Sequence, residues 1–322
     1  MHILITGGAG FIGSHLTERL LARQNKIVVV DNFNTYYDPE IKRQNLRAAQ
    51  KSDKFSLYEA DIRDEKKLEA IFAENKFDVI VHLAARAGVR PSLIDPLLYQ
   101  DVNVHGTMNL LELAKKYRVP KFVFASSSSV YGNNKKVPFS ESDNVDFPVS
   151  PYAATKKAGE LIGYTYHHLY HFSFIGIRFF TVYGPRQRPD MAIHKFTRLI
   201  DEDREIPVFG DGSSRRDYTF VDDIVDGITA IVDQSEGYDI FNLGDSRTIG
   251  LLEMIKTIEK ALGKKANLRW LPMQPGDVPT TFADISKAQK KLGYEPKVLF
   301  EEGIERFVDW YIHNRKSLKK LH

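Results

Sequence analysis

The sequence contains no cysteine. Disulfides, thiolate nucleophiles and cysteine-ligated zinc or iron–sulfur centres are therefore excluded. A reducing interior, the cytoplasm, is the simplest setting for such a chain. Surplus charge is also lacking: 45 Lys and Arg stand against 42 Asp and Glu, for a net charge of +3. That balance gives no global pull toward nucleic acid or a membrane surface. No apolar run approaches the roughly 18–20 residues of a membrane span. Met1 leads straight into a strand-like run, His2-Ile3-Leu4-Ile5-Thr6, which reads as the start of the fold rather than a signal peptide. Repeats and low-complexity tracts are absent. His167 and His171 are four apart, but His168 stands where a zinc-protease helix needs Glu. Packing or a helix surface accounts for them, and no metal is expected.

What is present is an alternation. Strand-like runs occur at Ile3–Thr6, Lys26–Asp31, Phe55–Ala60, Val79–Leu83, Lys121–Ser126 and Ser173–Arg178. Several are continuous Val, Ile and Phe, as parallel strands buried on both faces require. Helical patterns lie between them at Phe11–Gln24, Lys66–Glu74, Asn103–Tyr117 and Pro151–Tyr170. The expected class is α/β, a Rossmann-type doubly wound parallel sheet. After Arg178, Gly and Pro turns multiply, which suggests a smaller C-terminal α/β part for substrate. The expected division is residues 1–180 for the cofactor and 181–322 for the substrate, with 217–246 packing back on the first. The Lys-rich end, Arg315 to His322, reads as a solvated, frayed tail.

Gly7-Gly8-Ala9-Gly10-Phe11-Ile12-Gly13 joins the first strand to the first helix. The glycines allow a tight turn and close approach to a pyrophosphate. The helix start then offers free N–H groups and a positive dipole end. The motif alone is weak evidence; between a strand and a helix it indicates a dinucleotide. Asp31 ends the second strand, eighteen residues after Gly13. A carboxylate there suits ribose hydroxyls and repels a 2′-phosphate. No Arg follows immediately, and Asn32 comes next, so NAD is expected over NADP. Asp61 and Ile62 follow the third strand, placed for the adenine edge. Leu83, Ala84 and Ala85 end the fourth strand beside the same cofactor.

Tyr152-Ala153-Ala154-Thr155-Lys156 opens a long helix. Positions i and i+4 share a face, so phenol and amine converge. A nearby cation and a positively charged nicotinamide both favour phenolate, a base able to take a hydroxyl proton. Tyr-x-x-x-Lys is a common pattern, and alone it reads as a helix-surface pair. Its place after Ser126-Ser127-Ser128-Ser129-Val130-Tyr131-Gly132, at the carboxyl end of the fifth strand, argues otherwise.

Together Gly7–Gly13, Ser126–Gly132 and Tyr152–Lys156 resemble the extended short-chain dehydrogenase/reductase family over essentially the full chain. That resemblance implies Ser127 as the catalytic hydroxyl, Tyr152 as base and Lys156 as its partner. Three further segments resemble nucleotide-sugar enzymes. Gly210–Tyr218 looks like a diphosphate-binding segment with Arg216 as clamp. Gln274-Pro275-Gly276-Asp277 looks like the segment whose Asp holds the nucleotide ribose, and Arg178–Pro185 like the sugar-facing stretch. Thr181 and Gln274 depart from the Asn and Arg usual in UDP-galactose 4-epimerases. Ala84–Arg90, Arg178–Pro185 and Arg188–Ala192 are instead similar to the members that epimerise UDP-glucuronate at C4. On that likeness, Ser127, Ser128, Ser129 and Thr181 hold the sugar carboxylate, with Arg86 and Arg188 as further contacts. Dehydratases and decarboxylases of the family carry an acid just after the catalytic Ser or Thr. Here Ser128 and Ser129 follow, with no carboxylate until Glu141. The expected partners are a UDP-sugar and a second copy of the chain, through the helices near Asn103–Tyr117 and Pro151–Tyr170. The alternatives are a UDP-glucose/UDP-galactose 4-epimerase, a UDP-glucuronate decarboxylase and a non-catalytic NAD-binding sensor.

Overall fold

The computed structural model describes residues 1–272 and 280–319. Gln274 and Asp277 therefore lie outside the described residues. The first half runs β1 (His2–Thr6), α1 (Phe11–Ala22), β2 (Lys26–Asp31), α2 (Pro39–Leu46), β3 (Phe55–Glu59), α3 (Glu65–Glu74), β4 (Val79–His82), α4 (Val89–Ile94), α5 (Pro96–Gln100), α6 (Gly106–Lys116), β5 (Lys121–Ser127), α7 (Pro151–Tyr170) and β6 (Ser173–Phe179). The second runs β7 (Thr181–Tyr183), α8 (Ala192–Asp201), β8 (Glu205–Phe209), β9 (Arg215–Arg216), β10 (Tyr218–Phe220), α9 (Val221–Gln234), β11 (Tyr238–Leu243), β12 (Ile249–Gly250), α10 (Leu251–Leu262), β13 (Asn267–Leu271), α11 (Ser286–Leu292) and α12 (Phe300–Lys319).

Seven strands form one parallel sheet in the order β3-β2-β1-β4-β5-β6-β11. It is a Rossmann-type α/β fold. Side chains alternate between two cores, as the period of two requires. Ile3, Ile5, Val29 and Val81 enter one; Leu4, Val28, Val30 and Ile80 enter the other. Both faces are covered by helices, which explains the unbroken apolar runs. The strand order reverses between β1 and β4. Open sheets of this kind bind ligands at such a switch point, beyond the carboxyl ends of the strands.

α7 starts where its sequence dictates. Ser150 caps it, accepting from Ala153 N at 3.2 Å, and Pro151 occupies the first turn. Two glycines let it lie flat on the sheet. A Cβ at Gly159 would meet Phe124 at 2.3 Å, and one at Gly163 would meet Phe174 at 2.0 Å. This close seating brings the start of α7 against the end of β5. Before α6 the chain passes through a short π-helix, Asp101–His105. The Lys-rich end is not simply frayed, because α12 continues as helix to Lys319 and Arg315 pairs with Asp201 at 3.0 Å. Among the described residues no helix is long and apolar enough to cross a membrane.

His82 is buried at the end of β4, between the hydroxyls of Thr6 (2.7 Å) and Thr107 (2.9 Å). Burial, aided by the charge of Lys156, pushes its imidazole down to about 3. The unfolded chain therefore binds this proton over a pH range where the folded chain does not. Stability is full above the ordinary His value and falls as pH drops toward 3, by about 1.4 kcal/mol per unit. Thermal melts of His82→Gln should show a shallower loss between pH 6.5 and 4 than the parent. Equal slopes would assign the acid sensitivity elsewhere.

Candidate active site

One cleft of about 390 Å³ opens along the carboxyl ends of the strands. Its lining joins the turn after β1 (Gly7, Gly10, Phe11, Ile12, Gly13), Asp31 and Asn32 after β2, and Asp61 and Ile62 after β3. Leu83, Ala84, Ala85 and Arg86 follow β4; Ser127, Ser128 and Ser129 end β5; Tyr152 and Lys156 come from α7. Thr181 and Arg188 close the far wall. The cleft thus gathers the described residues assigned above to the catalytic, cofactor and sugar sites, except Arg216. That residue lies half-buried on β9, outside the lining, with Nη1 donating to Arg215 O at 2.8 Å.

The Gly-rich turn fits a dinucleotide. Gly7 has φ +70°, and a Cβ there would lie 2.7 Å from Ala84 N. A Cβ at Gly13 would lie 2.4 Å from Gly7 O. Gly10, by contrast, faces open space apart from Gly7 O at 3.2 Å. Its missing side chain leaves the room a pyrophosphate needs. Gly10 is also the N-cap of α1, makes no side-chain cap, and no acid occupies the first turn. The first N–H groups of the helix remain available for an anion.

At the ribose end, Asp31 accepts from Phe33 N at 2.9 Å and from Ala9 N at 3.3 Å. Lys42 of α2, equally buried, approaches it at 3.4 Å. The sequence offered no motif for Lys42; only the return of α2 over β2 puts it there. Asp61 is bound by Arg63 (2.9 Å) and Asn32 (2.7 Å), and the Arg63 hydrogen bonds hold its carboxyl down to about 2.

The four serines divide. Ser126 turns inward and donates to Glu160 at 2.6 Å, so it supports the core. Ser127 faces the cleft, accepts from Ser129 N at 3.1 Å and lies close enough to Tyr152 to lower its phenol. Burial raises the Tyr152 phenol above its ordinary value, and Ser127 and the charge of Arg188 pull back. Lys156 donates to Ala125 O at 2.7 Å rather than to Tyr152, and burial lowers its amine to about 7. Tyr152 and Lys156 both line the cleft, as their shared face predicts, while the Ala125 carbonyl holds the amine. Lys156 lies over the Phe124 ring.

Arg178–Pro185 also divides. Phe179 to Val182 line the cleft, but Arg178 is only 2% exposed and forks onto Glu160 with two bonds of 2.9 Å. Its role is structural. Further on, Arg188 is held by Asp190 at 2.9 and 3.0 Å. The acids lining the cleft, Asp31 and Asp61, sit by β2 and β3, well along the sheet from Tyr152. Tyr36, Tyr37 and Lys42 also line it and carry no sequence signal. Among the described residues no group of three or more His, Asp or Glu could hold a metal.

The family model described as GDP-mannose 4,6 dehydratase matches residues 4–307. The chain belongs to the extended short-chain dehydrogenase/reductase family. Within this family it is 45% identical over 321 residues to a UDP-glucuronate 4-epimerase of Thermodesulfobacterium geofontis, covering 99% of each chain. A UDP-glucuronic acid 4-epimerase of Bacillus cereus, solved with UDP-glucuronic acid and NAD, superposes with a TM-score of 0.91. It is 37% identical, with 97% of this chain and 99% of that one covered. A dTDP-glucose 4,6-dehydratase of Streptomyces venezuelae reaches 0.92 at 30% identity, over 100% of both. Backbone similarity alone therefore does not separate epimerase from dehydratase in this family; the side chains around Ser127 must.

Proposed function

We propose that this cleft interconverts the C4 epimers of a UDP-hexuronate, UDP-glucuronate and UDP-galacturonate, with NAD as its resident cofactor. One observation carries the reading: Ser127, Ser128, Ser129 and Thr181 line the same cleft as Tyr152, and serines rather than a carboxylate directly follow Ser127. The relatives of that name support it.

NAD, when bound along the Gly7–Gly13 turn, supplies the acceptor and donor of the C4 hydride. Everything else falls to the chain. Tyr152 takes the proton of the sugar 4-hydroxyl, oriented by Ser127, and returns one after the sugar turns over. Its tether through the diphosphate lets the 4-keto sugar present its other face. Arg216, two residues before a β10 that pairs with β7 at Tyr218 and Thr181, suits that diphosphate. Asp277 would take the nucleotide ribose. Gly7, Gly10, Phe11, Ile12, Gly13, Asp31, Asn32, Asp61, Ile62 and Leu83 to Ala85 would hold the cofactor.

The 4-keto uronate is a β-keto acid and loses CO₂ when its carboxylate bond aligns with the ketone. Ser128, Ser129 and Thr181 hydroxyls would hold the carboxylate out of that alignment. Replacing all three with Ala should release UDP-pentose alongside epimer, measured by mass spectrometry. Unchanged product purity would remove this role.

A second copy of the chain is the inferred macromolecular partner, through α6 and α7. Met108, Leu161 and Leu169 lie exposed there. The cytoplasm, where nicotinamide cofactors and nucleotide sugars are available, is the inferred setting. The test of function is product analysis on UDP-glucuronate, UDP-glucose and UDP-xylose in parallel. Interconversion of the neutral sugars alone would overturn the uronate reading.

A further inference from the structure

The loop between β2 and α2 is folded by its own side chains. Asn32 Oδ1 accepts from Asn34 N (3.1 Å) and Nδ2 (2.9 Å), and Asn34 Oδ1 accepts from Tyr36 N at 3.1 Å. Asp38 then caps α2, accepting from Glu40 N at 2.8 Å. Such side-chain turns fix a loop before any ligand arrives. This one sets Tyr36 into the cleft wall.

Two cations lie over the Tyr36 ring, Arg86 at 5.0 Å and Arg188 at 5.5 Å from its centroid. They are not equivalent. Arg188 has a counter-ion in Asp190. Arg86 has no carboxylate partner among the described residues, and its Nε is buried without any hydrogen-bond partner. Its backbone is fixed: Arg86 N donates to Asn103 Oδ1 at 2.8 Å and Arg86 O accepts from Asn103 Nδ2 at 3.0 Å. A planar cation pinned at its backbone, stacked on an aromatic face and left uncompensated is a site for an anionic group. The Tyr36 hydroxyl lies near that of Tyr99, which donates to Ala87 O at 2.7 Å. The Tyr99 ring meets the edge of Tyr152 at 6.2 Å. Gly88 gives Tyr36 its space, since a Cβ there would stand 3.2 Å from the hydroxyl.

We propose that Tyr36 is the positioning residue that makes this cleft select a carboxylate-bearing sugar, by holding Arg86 and Arg188 against the side where that carboxylate lies. This deepens the uronate reading and rests on it. One ring thus holds both guanidinium groups in the cleft wall. Tyr99, whose ring packs on Tyr152, lies between this pair and the base. A neutral sugar gains nothing from this arrangement.

The test uses the full-length holoenzyme and calorimetric binding of UDP-glucuronate and UDP-glucose, with turnover of UDP-glucuronate measured beside it. In Tyr36→Leu the preference for the acid sugar, as a ratio of dissociation constants, should fall about tenfold, the equivalent of about 1.4 kcal/mol. The KM for UDP-glucuronate should rise more than kcat falls. Tyr36→Phe, which keeps the ring, should restore most of the ratio. If Tyr36→Leu weakens both ligands equally, or neither, the inference fails while the uronate reading stands. If the parent protein turns over no UDP-glucuronate, the reading itself fails and the inference with it.

Discussion

Tyr152→Phe should lower kcat on UDP-glucuronate by about 10²–10⁴-fold, the range a positioned proton-transfer group contributes, while leaving bound NAD content and melting temperature close to the parent. The substitution removes one oxygen and keeps the ring that meets Tyr99. Burial holds the phenol above its ordinary value, outweighing Ser127 and Arg188. Burial likewise lowers the Lys156 amine, to about 7. Ser127→Ala should fall less, since it orients the reacting oxygen without being the final base. A loss below tenfold in Tyr152→Phe would mean that another group takes the proton. Steady-state rates with cofactor content measured on the same samples decide this.

Breaking the pair beneath the site should have the largest effect on stability. Glu160 and Arg178 are 0% and 2% exposed. Arg178 also donates to Tyr131 at 3.0 Å, and Tyr131 donates to Asn242 at 2.7 Å. Ser126 completes the ring. This network ties β5, α7, β6 and β11 together directly below Ser127 and Lys156. Removing one partner strands a buried charge, so Arg178→Met or Glu160→Leu should each destabilise by about 3–5 kcal/mol in urea unfolding. The double variant should recover much of that, because neither charge remains to be desolvated. Single-variant losses under 1 kcal/mol would show that water reaches the network.

The sheet was legible because both of its faces are covered. Runs such as Ile27–Val30 permit little but a buried parallel strand, and the Gly7–Gly13 turn fixes where the first helix must start. Ser127, Tyr152 and Lys156 were legible for a related reason: all three sit at the junction of a strand end and a helix start, where the sequence pattern changes abruptly. Arg178 was misread because a strand alternates its faces. It shares the face of Phe174 and so points under α7 toward Glu160, while Thr181, beyond the strand, reaches the cleft. Lys42 and Tyr36 gave no local signal, because their place depends on how the β2–α2 connection folds back over Asp31 and toward Arg86. Helical spacing fixes the shared face of Tyr152 and Lys156 but not the carbonyl of Ala125 that claims the amine.

The most direct test of the account is turnover of UDP-glucuronate deuterated at C4 by the purified protein, with no NAD added. The account predicts UDP-galacturonate that keeps its deuterium at C4 and essentially no CO₂, because one bound cofactor takes and returns the same hydride. Loss of the label to solvent, an absolute need for added NAD, or UDP-pentose as the main product would contradict it.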